Sequence, residues 1–299
     1  MQDILKDLIH LLSLEKLDTN LFRGESRDIG TSQVFGGQVL GQALSAANNT
    51  VEGRVAHSLH AYFLRKGDHD SPIIYEVDRQ RDGRSFTSRR VVAIQHGKPI
   101  LNLAASFKIP EQGLEHQSSM PQVPSPESLK DVTEYRRQLQ ERMPDGKVPR
   151  YLMQERPFEF RPVQLPQFLD PEPREPRASV WFKAVGELPD DDALHRAMLA
   201  YVSDYYLIAT ATRPHGTSIF DPRLQIASLD HALWFQRPFR VDQWLLYEIG
   251  SPSATDGRAL SRGKIFDREG QLVAVVAQEG VMRLWPEPEP EDKDKDKDK

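Results

Sequence analysis

The chain of 299 residues contains the same pattern twice, and this internal repeat restricts its possible folds more than any other feature. HSLHAYFLRKG, which begins at His57, resembles ASLDHALWFQRPF, which begins at Ala227. A turn containing Asp-Gly follows in both copies, and its glycines, Gly83 and Gly257, are 174 residues apart. Self-similarity over so long a period indicates two copies of one domain within the chain.

Each half has the same order of predicted elements. A helix comes first, FGGQVLGQALSAA at 35–47 and DDDALHRAMLAYVSDYYLIATA at 190–211, and strands separated by turn signals such as RDGRS and TDGRA follow. A helix must bury its apolar side, and the concave face of an antiparallel sheet is the large apolar surface at hand. The sequence therefore predicts an α+β fold of two tandem hotdog domains, in which antiparallel sheets wrap around a long helix, forming a double hotdog within one chain.

Prolines mark the boundary between the two copies. The stretch from Pro110 to Pro176 holds 12 of the chain's 22 prolines, a density that interrupts regular structure. A short helix is expected inside it, at 130–142. The predicted organisation is an N-terminal hotdog domain at 1–115, a proline-rich linker at 116–170, a C-terminal hotdog domain with the catalytic residues at 171–286, and a disordered charged tail at 287–299.

Charge and composition argue against several classes of protein. The chain has 39 Lys and Arg residues against 44 Asp and Glu residues, so its net charge of −5 offers no basic footprint for nucleic acid. The absence of cysteine excludes disulfides, thiolate metal sites and a cysteine nucleophile. The N-terminal segment has the spacing of an amphipathic helix, and no apolar run reaches the ~18–20 residues that span a bilayer. We expect a cytoplasmic protein without membrane insertion.

Three polar residues interrupt apolar patterns in the second half. Asp204 follows Ala197 by seven residues, on the helical stripe that should face the sheet. Gln278 ends the apolar face of an alternating strand, and Ser228 shares a strand face with aliphatic residues. Each residue alone fits a solvated helix surface, a strand end or an ordinary strand hydroxyl. Together they form a set in which a carboxylate accepts a proton from water while a hydroxyl and an amide hold that water.

Motifs of other hydrolases and of cofactor enzymes are missing from the sequence. It contains no G-x-S-x-G, H-E-x-x-H, G-x-G-x-x-G or Walker A motif, so neither a metal nor a cofactor is predicted. His57 and His60 fall on opposite faces of a strand-like run, which does not suit shared metal ligation. We interpret these two residues and His231 as structural.

Several long motifs resemble those of the acyl-CoA thioesterase II family, called TesB-like in bacteria: VFGGQVLGQAL, HSLHAYFLRKGD, RDGRSF, LDHALWFQRPF and QEGVMR. The similarity extends from the N-terminal helix to about Arg283. It implies a double hotdog that hydrolyses acyl-CoA to a fatty acid and free CoA. It also implies that Asp204, Ser228 and Gln278 form the catalytic set, with Ser228 standing where a family member has threonine.

Candidate substrate-binding residues lie in the first half. Five basic side chains either contact the phosphates of CoA or simply face solvent: Arg65, Lys66, Arg79, Arg81 and Arg84. Gly36 and Gly37 begin the first helix, where they suit close approach of the backbone to the substrate or a tight turn. Phe107 occupies the position that matches Gln278, so we expect the first half to serve structure or ligand binding.

Two other functions remain open at this level. A non-catalytic acyl-CoA-binding protein would keep the acyl slot without needing the three polar residues. A hotdog hydratase needs an Asp–His pair, which the sequence does not identify. By analogy with other hotdog proteins, we expect a homo-oligomer, either a dimer or a tetramer of double hotdogs.

Overall fold

A computed structural model describes residues 3–142 and 148–286 of the chain. The predicted disorder of the tail at 287–299 lies outside the described residues. The first half contains α1 (Asp3–Leu12), β1 (Glu15–Asp18), β2 (Leu21–Gly24), α2 (Gly36–Asn48), β3 (Val55–Phe63), β4 (Ile73–Asp82), β5 (Phe86–Gln95) and β6 (Lys98–Lys108). The remainder contains α3 (Val132–Arg142), α4 (Arg150–Met153), β7 (Phe158–Pro162), β8 (Arg177–Ala184), α5 (Asp192–Val202), α6 (Leu207–Thr212), β9 (Leu224–Ser228), β10 (Asp230–Phe235), β11 (Leu245–Thr255), β12 (Arg258–Phe266) and β13 (Leu272–Leu284).

One continuous antiparallel sheet runs through both halves. Its order is β1-β2-β4-β5-β6-β3-β10-β13-β12-β11-β8-β7, and β9 pairs with β13 beside β10. Read outward from the centre, the two halves show the same succession of strands. They join where β3 pairs with β10, with Leu59 opposite Leu233. The predicted double hotdog is confirmed, and its two sheets meet edge to edge within the chain.

The two central helices pack against each other at very short range. A Cβ atom on Gly37 would lie 2.1 Å from the carbonyl oxygen of Tyr201, and one on Gly41 would lie 2.9 Å from that of Ala197. The order of these contacts shows that α2 and α5 run antiparallel. Only glycine allows two helix backbones to approach so closely. The glycines of α2 therefore set the distance between the halves.

The second central helix is interrupted, which corrects the prediction of one helix at 190–211. It begins as expected, with Asp191 capping the backbone N–H groups of Ala193 and Leu194 at 3.0 and 3.3 Å. However, α5 ends at Val202, and α6 starts only after Tyr206, whose φ of 70° is left-handed. Asp204 thus lies in a turn and not on a helical stripe, although it still faces the core.

The predicted linker contains a strand of the second sheet. Within 116–170, β7 pairs with β8, placing Phe160 opposite Phe182 at the edge of the sheet. Its five residues end at Pro162, and proline is tolerated on an edge strand because one side needs no ladder hydrogen bond. So short a strand among many prolines gives a weak signal in the sequence. The expected helix at 130–142 corresponds to α3.

None of the helices in 3–142 and 148–286 has the length and apolar character required to cross a bilayer.

Candidate active site

The structure brings Asp204, Ser228 and Gln278 together. The amide nitrogen of Gln278 donates to Asp204 Oδ1 at 2.6 Å and to Ser228 Oγ at 3.1 Å. The Ser228 hydroxyl reaches the same carboxylate oxygen at 3.5 Å, the long limit of a hydrogen bond. The short contact has the length of a charge-assisted bond. Three residues that are distant in sequence therefore form one polar cluster.

A break between β9 and β10 positions two members of the cluster. β10 pairs with Ala274–Ala277 of β13, and β9 pairs with Gly280–Leu284, so Gln278 lies opposite the junction. The junction is held on both sides: the N–H of Leu229 donates to the Glu279 carbonyl at 2.9 Å, and the N–H of Glu279 donates to Asp230 Oδ1 at 2.6 Å. The break turns the end of β9, and hence Ser228, toward Gln278.

His231 is a fourth member of the cluster, and the sequence interpretation missed it. Its Nδ1 lies 3.3 Å from the amide nitrogen of Gln278, and its Nε2 lies 2.9 Å from Ser203 Oγ. The side chain is fully buried, and burial lowers the pKa of His231 to about 3. The ring is therefore neutral at pH 7. Inward alternation with Leu233 and Phe235 is the sequence signal that could have revealed it.

The hydrogen bonds around His231 are consistent with a single tautomer. Ser203 Oγ donates to the Ala200 carbonyl at 3.0 Å, so it accepts from the N–H at Nε2. Nδ1 then carries no hydrogen and is a third acceptor, beside Asp204 and Ser228, for the two hydrogens of the Gln278 amide, so one of these hydrogens is shared. This assignment follows from the network of partners. The amide of Gln278 is thereby held by Asp204 on one side and by His231 on the other.

The electrostatic surroundings of Asp204 favour a basic carboxylate. Its side chain is only 6% exposed, and burial raises its pKa. Hydrogen bonds from Gln278, from the backbone N–H of Gly37 and from Ser228 act in the opposite direction and lower it. In the described part of the chain, no Lys or Arg forms an ion pair with Asp204, and neutral His231 is 4.0 Å away. A carboxylate with a raised pKa is a stronger proton acceptor.

The buried amide oxygen of Gln278 has no hydrogen-bond partner among the described residues. Leaving such a group unpaired costs roughly 1–3 kcal/mol, so native proteins rarely do so without a reason. The nitrogen of the same amide is fully engaged, which fixes its orientation. A ligand with a hydrogen to donate, such as water, suits this oxygen.

The first half also contributes to the cluster. A Cβ atom on Gly36 would lie 2.7 Å from Asp204 Oδ2 and 3.1 Å from the ring of Phe63. The N–H of Gly37 bonds the same carboxylate. The two glycines predicted to contact substrate thus contact Asp204, at the start of α2. The sequence predicted the chemistry in the second half alone, whereas the candidate cluster lies where the halves meet.

The predicted basic residues do not form one group. Arg65 and Lys66 are exposed just beyond Phe63, the end of β3 that lies near Gly36, and Arg65 donates to the Pro99 carbonyl at 2.7 Å. Arg84 lies at the other end of β3, where its carbonyl accepts from Arg54 at 3.3 Å. Nine residues of extended strand separate these ends by roughly 25–30 Å. Arg79 and Arg81 are exposed on β4.

A pocket of about 100 Å³ opens beside the turn that holds Asp204. Tyr205 and Tyr206, which follow Asp204 directly, form part of its wall. Apolar side chains from α3, α4 and the adjoining loops contribute to the remainder: Val132, Leu152, Leu165, Phe168, Ile219 and Phe220. Its exposed lining is mostly apolar, which is the character of sites that bind small molecules.

One cluster of the described residues has metal-ligating side chains, and it lies elsewhere. Asp68, His69 and Asp70 place their ligand atoms within 4.8 Å of one another in an exposed loop. They are used within that loop, since His69 contacts Asp70 at 3.1 Å and Ser71 donates to Asp68 at 2.9 Å. We assign no metal or cofactor to the candidate site.

Comparison with known proteins covers both halves. Residues 23–108 match a family described as acyl-CoA thioesterase N-terminal domain, and residues 150–281 match one described as acyl-CoA thioesterase. Acyl-CoA thioesterase 2 of Haemophilus influenzae is 44% identical over 95% of this chain and 99% of its own length. Human acyl-coenzyme A thioesterase 8 is 42% identical over 93% of this chain and 89% of its own length.

Solved structures give the same result. The crystal structure of an acyl-CoA thioesterase II, TesB2, from Mycobacterium marinum superimposes with a TM-score of 0.76 at 40% identity, covering 95% of this chain and 100% of that one. A tesB protein from Mycobacterium avium subs. paratuberculosis has a TM-score of 0.78 at 32% identity. Since sequence and structure agree over nearly the whole length, the resemblance is confirmed: the chain belongs to the TesB-like acyl-CoA thioesterase II family.

Proposed function

We propose that the protein hydrolyses fatty acyl-CoA to a free fatty acid and CoA, using a water molecule that Asp204 activates and that Ser228 and Gln278 hold. The observation that carries the proposal is the convergence of a buried carboxylate, a hydroxyl and an amide with an unpaired oxygen. Membership of the acyl-CoA thioesterase family supports the reaction class.

The proposed reaction proceeds by general base catalysis. Asp204 accepts one proton of the water, and the unpaired oxygen of Gln278 accepts a hydrogen bond from the other. The hydroxide attacks the thioester carbonyl carbon, and the tetrahedral intermediate then expels the CoA thiolate, which takes up the proton held by Asp204. The raised pKa of Asp204 suits both proton transfers.

The oxyanion of the tetrahedral intermediate needs hydrogen-bond donors. The start of α2 is next to Asp204, as the contacts of Gly36 and Gly37 indicate. Of the first backbone N–H groups of α2, that of Gly37 is directed at Asp204, and those of Gln38 and Val39 donate to the Phe35 carbonyl, which leaves the N–H of Gly36. The helix dipole favours a negative charge at this end. We assign oxyanion stabilisation to this helix start. The acyl chain would extend into the pocket behind Tyr205 and Tyr206.

The hydratase alternative receives less support. Asp204 and His231 do form an Asp–His pair, with 4.0 Å between Oδ1 and Nδ1. However, both ring nitrogens of His231 have protein partners, and burial keeps its pKa at about 3. A neutral, fully engaged imidazole is a poor proton donor to a substrate. We therefore assign His231 a role in positioning Gln278.

Asp204→Asn tests the proposed mechanism. With palmitoyl-CoA as substrate and a thiol reagent to detect free CoA, we expect kcat to fall about 10³-fold, within the range for loss of a general base. Asp256→Asn is the matched control, because Asp256 is exposed in the β11–β12 turn at a φ of 51° that asparagine also tolerates.

The outcomes separate the candidate functions. CoA release that Asp204→Asn leaves unchanged would contradict the mechanism. Absence of release by the wild-type protein, with palmitoyl-CoA still bound, would favour the non-catalytic binding protein.

We also propose a cytoplasmic homo-oligomer, a dimer or tetramer of double hotdogs. Exposed apolar side chains near the centre of the sheet support assembly, among them Tyr62 at 63% exposure. The cysteine-free composition fits a reducing compartment. Light scattering coupled to size-exclusion chromatography, and fractionation of the native cells, test the two statements separately.

A further inference from the structure

The turn that holds Asp204 is fastened to the second sheet on both sides. Before Asp204, the phenol of Tyr247 on β11 donates to the Ser203 carbonyl at 3.0 Å. After it, the hydroxyl of Ser261 on β12 donates to the Leu207 carbonyl at 2.9 Å. Two neighbouring strands thus hold the main chain one residue before the carboxylate and three residues after it.

The turn needs such support because its backbone conformation is unfavourable. Tyr206 has a φ of 70°, and a bulky residue rarely adopts the left-handed conformation. Such a conformation persists only where the surrounding structure holds it. The turn between α5 and α6 is therefore stabilised by contacts with other elements.

The Tyr247 hydroxyl is buried among apolar side chains. Tyr247 is 2% exposed and shares the inner face of β11 with Leu245 and Ile249, where phenylalanine would pack equally well. Burial raises the pKa of Tyr247 well above its usual range, so the phenol keeps its proton and remains a donor. A buried hydroxyl is unfavourable without a partner. The bond to the Ser203 carbonyl therefore gives the hydroxyl a purpose that packing does not.

A glycine on the neighbouring strand leaves room for the Tyr247 ring. A Cβ atom on Gly263 of β12 would lie 2.2 Å from Cε2 of the ring and 3.1 Å from Cζ, so any larger residue would displace the phenol. The Ser203 carbonyl that the phenol binds belongs to the same planar peptide group as the nitrogen of Asp204. The phenol therefore orients the peptide group from which Asp204 extends.

The first half has the same tyrosine with a different partner. Tyr75 also follows two aliphatic residues and precedes a glutamate, on β4, the strand that matches β11 in the order of the sheet. Its side chain is fully buried, and its hydroxyl donates at 2.7 Å to Gln42 Oε1, in the middle of α2. The pair separates what such a tyrosine does for packing from what Tyr247 does for Asp204.

The geometry points to two positioning residues: we propose that Tyr247 and Ser261 hold the turn so that the Asp204 carboxylate stays within reach of its partners. Both act through the main chain, since their hydroxyls bind carbonyls and not the carboxylate itself. The placement matters because a shift of about 1 Å in a catalytic group can reduce the rate about 10²-fold. This inference rests on the proposed function and adds the residues that fix the position of its general base.

Tyr247→Phe tests the inference, with Tyr75→Phe as its matched control. Each substitution removes one buried hydroxyl and keeps the ring, so the two should lower Tm by similar amounts. With palmitoyl-CoA, we expect kcat to fall about 10-fold in Tyr247→Phe while KM stays nearly constant, whereas Tyr75→Phe should change neither. Ser261→Ala should also lower kcat, and the loss should be larger when it is combined with Tyr247→Phe.

The pH profile is a readout that lost packing alone would not move. Hydrogen bonds lower the pKa of Asp204 against the effect of burial, and a displaced turn weakens them. The acidic limb of the kcat/KM profile should therefore move to higher pH in Tyr247→Phe and stay in place in Tyr75→Phe. In the described chain, the titratable side chains that interact with this carboxylate are neutral at pH 7: Tyr151, His231 and Tyr247.

The side-chain amide of Gln278 reports the position of Asp204 without catalysis. Its signal in ¹H–¹⁵N NMR spectra, assigned by its loss in Gln278→Leu, should shift in Tyr247→Phe as the 2.6 Å bond to Asp204 lengthens, and stay in place in Tyr75→Phe. That result supports the inference even if Asp204→Asn leaves hydrolysis unchanged. An unmoved amide signal in Tyr247→Phe overturns it, and so does an equal loss of kcat in Tyr75→Phe.

Discussion

The two halves of the molecule share one architecture, but different side chains occupy the equivalent position in their last strands, β6 and β13. In the first half, Phe107 lies opposite Thr87 on one side and Ala56 on the other. In the second half, Gln278 lies opposite Ser261 and contacts His231. An apolar pair thus occupies the place where the second half has an amide and an imidazole.

The buried amides of the two halves differ in how completely they are paired. In the first half, Gln42 donates to the carbonyls of Leu11 and Glu25 at 2.7 and 2.9 Å, and its oxygen accepts from Tyr75 at 2.7 Å. The oxygen of Gln278 has no such partner in the described chain. The comparison teaches that burial of a polar group does not by itself mark a site. What distinguishes Gln278 is an unpaired oxygen on an amide whose nitrogen contacts a buried carboxylate and a hydroxyl.

Among the variants that test this comparison, the largest loss of kcat is expected when the Gln278 amide of the second half is replaced by an apolar side chain. Gln278→Leu removes the amide that holds the nucleophilic water, and we expect kcat to fall about 10²-fold. Because the Gln278 hydrogen bond lowers the pKa of Asp204, its loss raises that pKa. The acidic limb of the kcat/KM profile should therefore move to higher pH.

Phe107→Leu is the corresponding change in the first half. It should reduce the free energy of unfolding by about 1–2 kcal/mol through lost packing, with kcat nearly unchanged. Similar losses of kcat in the two variants would contradict the functional difference between the halves.

A smaller effect is expected from the glycine that the first half contributes. Gly36→Ala puts a methyl group 2.7 Å from Asp204 Oδ2, which must shift by several tenths of an ångström. We expect kcat to fall about 10-fold or more, as for a displaced catalytic group, with little change in Tm. Gly41→Ala is the contrast, because its methyl group would meet the Ala197 carbonyl at 2.9 Å and should lower Tm instead. Full activity in Gly36→Ala would show that the first half does not contribute to the site.

His231→Ala gives the second half the residue type that the first half has at Ala56. The substitution removes the contact on one side of the Gln278 amide. We expect kcat to fall about 10-fold with KM little changed, because a positioning residue acts only through another group. His231→Asn keeps an acceptor and should recover part of the loss.

The pKa of about 3 for His231 also predicts that no inflection near pH 6.5 arises from this residue. A titration near pH 6.5 that disappears in His231→Ala would disprove the neutral, positioning role.

The smallest effect is expected at Ser228. Ser228→Thr keeps the hydroxyl and adds a methyl group that suits an extended strand, so kcat should stay within about 3-fold of the wild-type value. Ser228→Ala removes the hydroxyl and should lower kcat about 10-fold. If the alanine variant were as active as the threonine variant, the hydroxyl would have no part in holding water.

Much of the architecture could be predicted, because a duplicated domain is visible as a repeat in the sequence alone. Asp204, Ser228 and Gln278 were found as polar interruptions of apolar patterns and from the family motifs. The same patterns gave the wrong local reason for Asp204. Helical periodicity continues through residues 203–206, whereas α5 ends at Val202 and the left-handed Tyr206 precedes α6.

Other parts of the site depend on contacts between distant segments. His231 looks like an ordinary strand residue until Gln278 and Ser203 are placed against it. Gly36 meets Asp204 only after α2 and α5 have packed.

The pairing of β3 with β10 within one chain has a consequence for the substitutions that such a protein can accept. Two separate, identical subunits joined along such a ladder would have two identical sites, and every substitution would alter both of them. Here a single peptide chain crosses the junction, so Phe107 and Gln278 vary independently. One end of a nearly symmetric body can therefore give up catalysis in favour of tight packing while the other keeps a less stable, reactive arrangement. Covalent fusion thus allows a division of labour that symmetry would forbid.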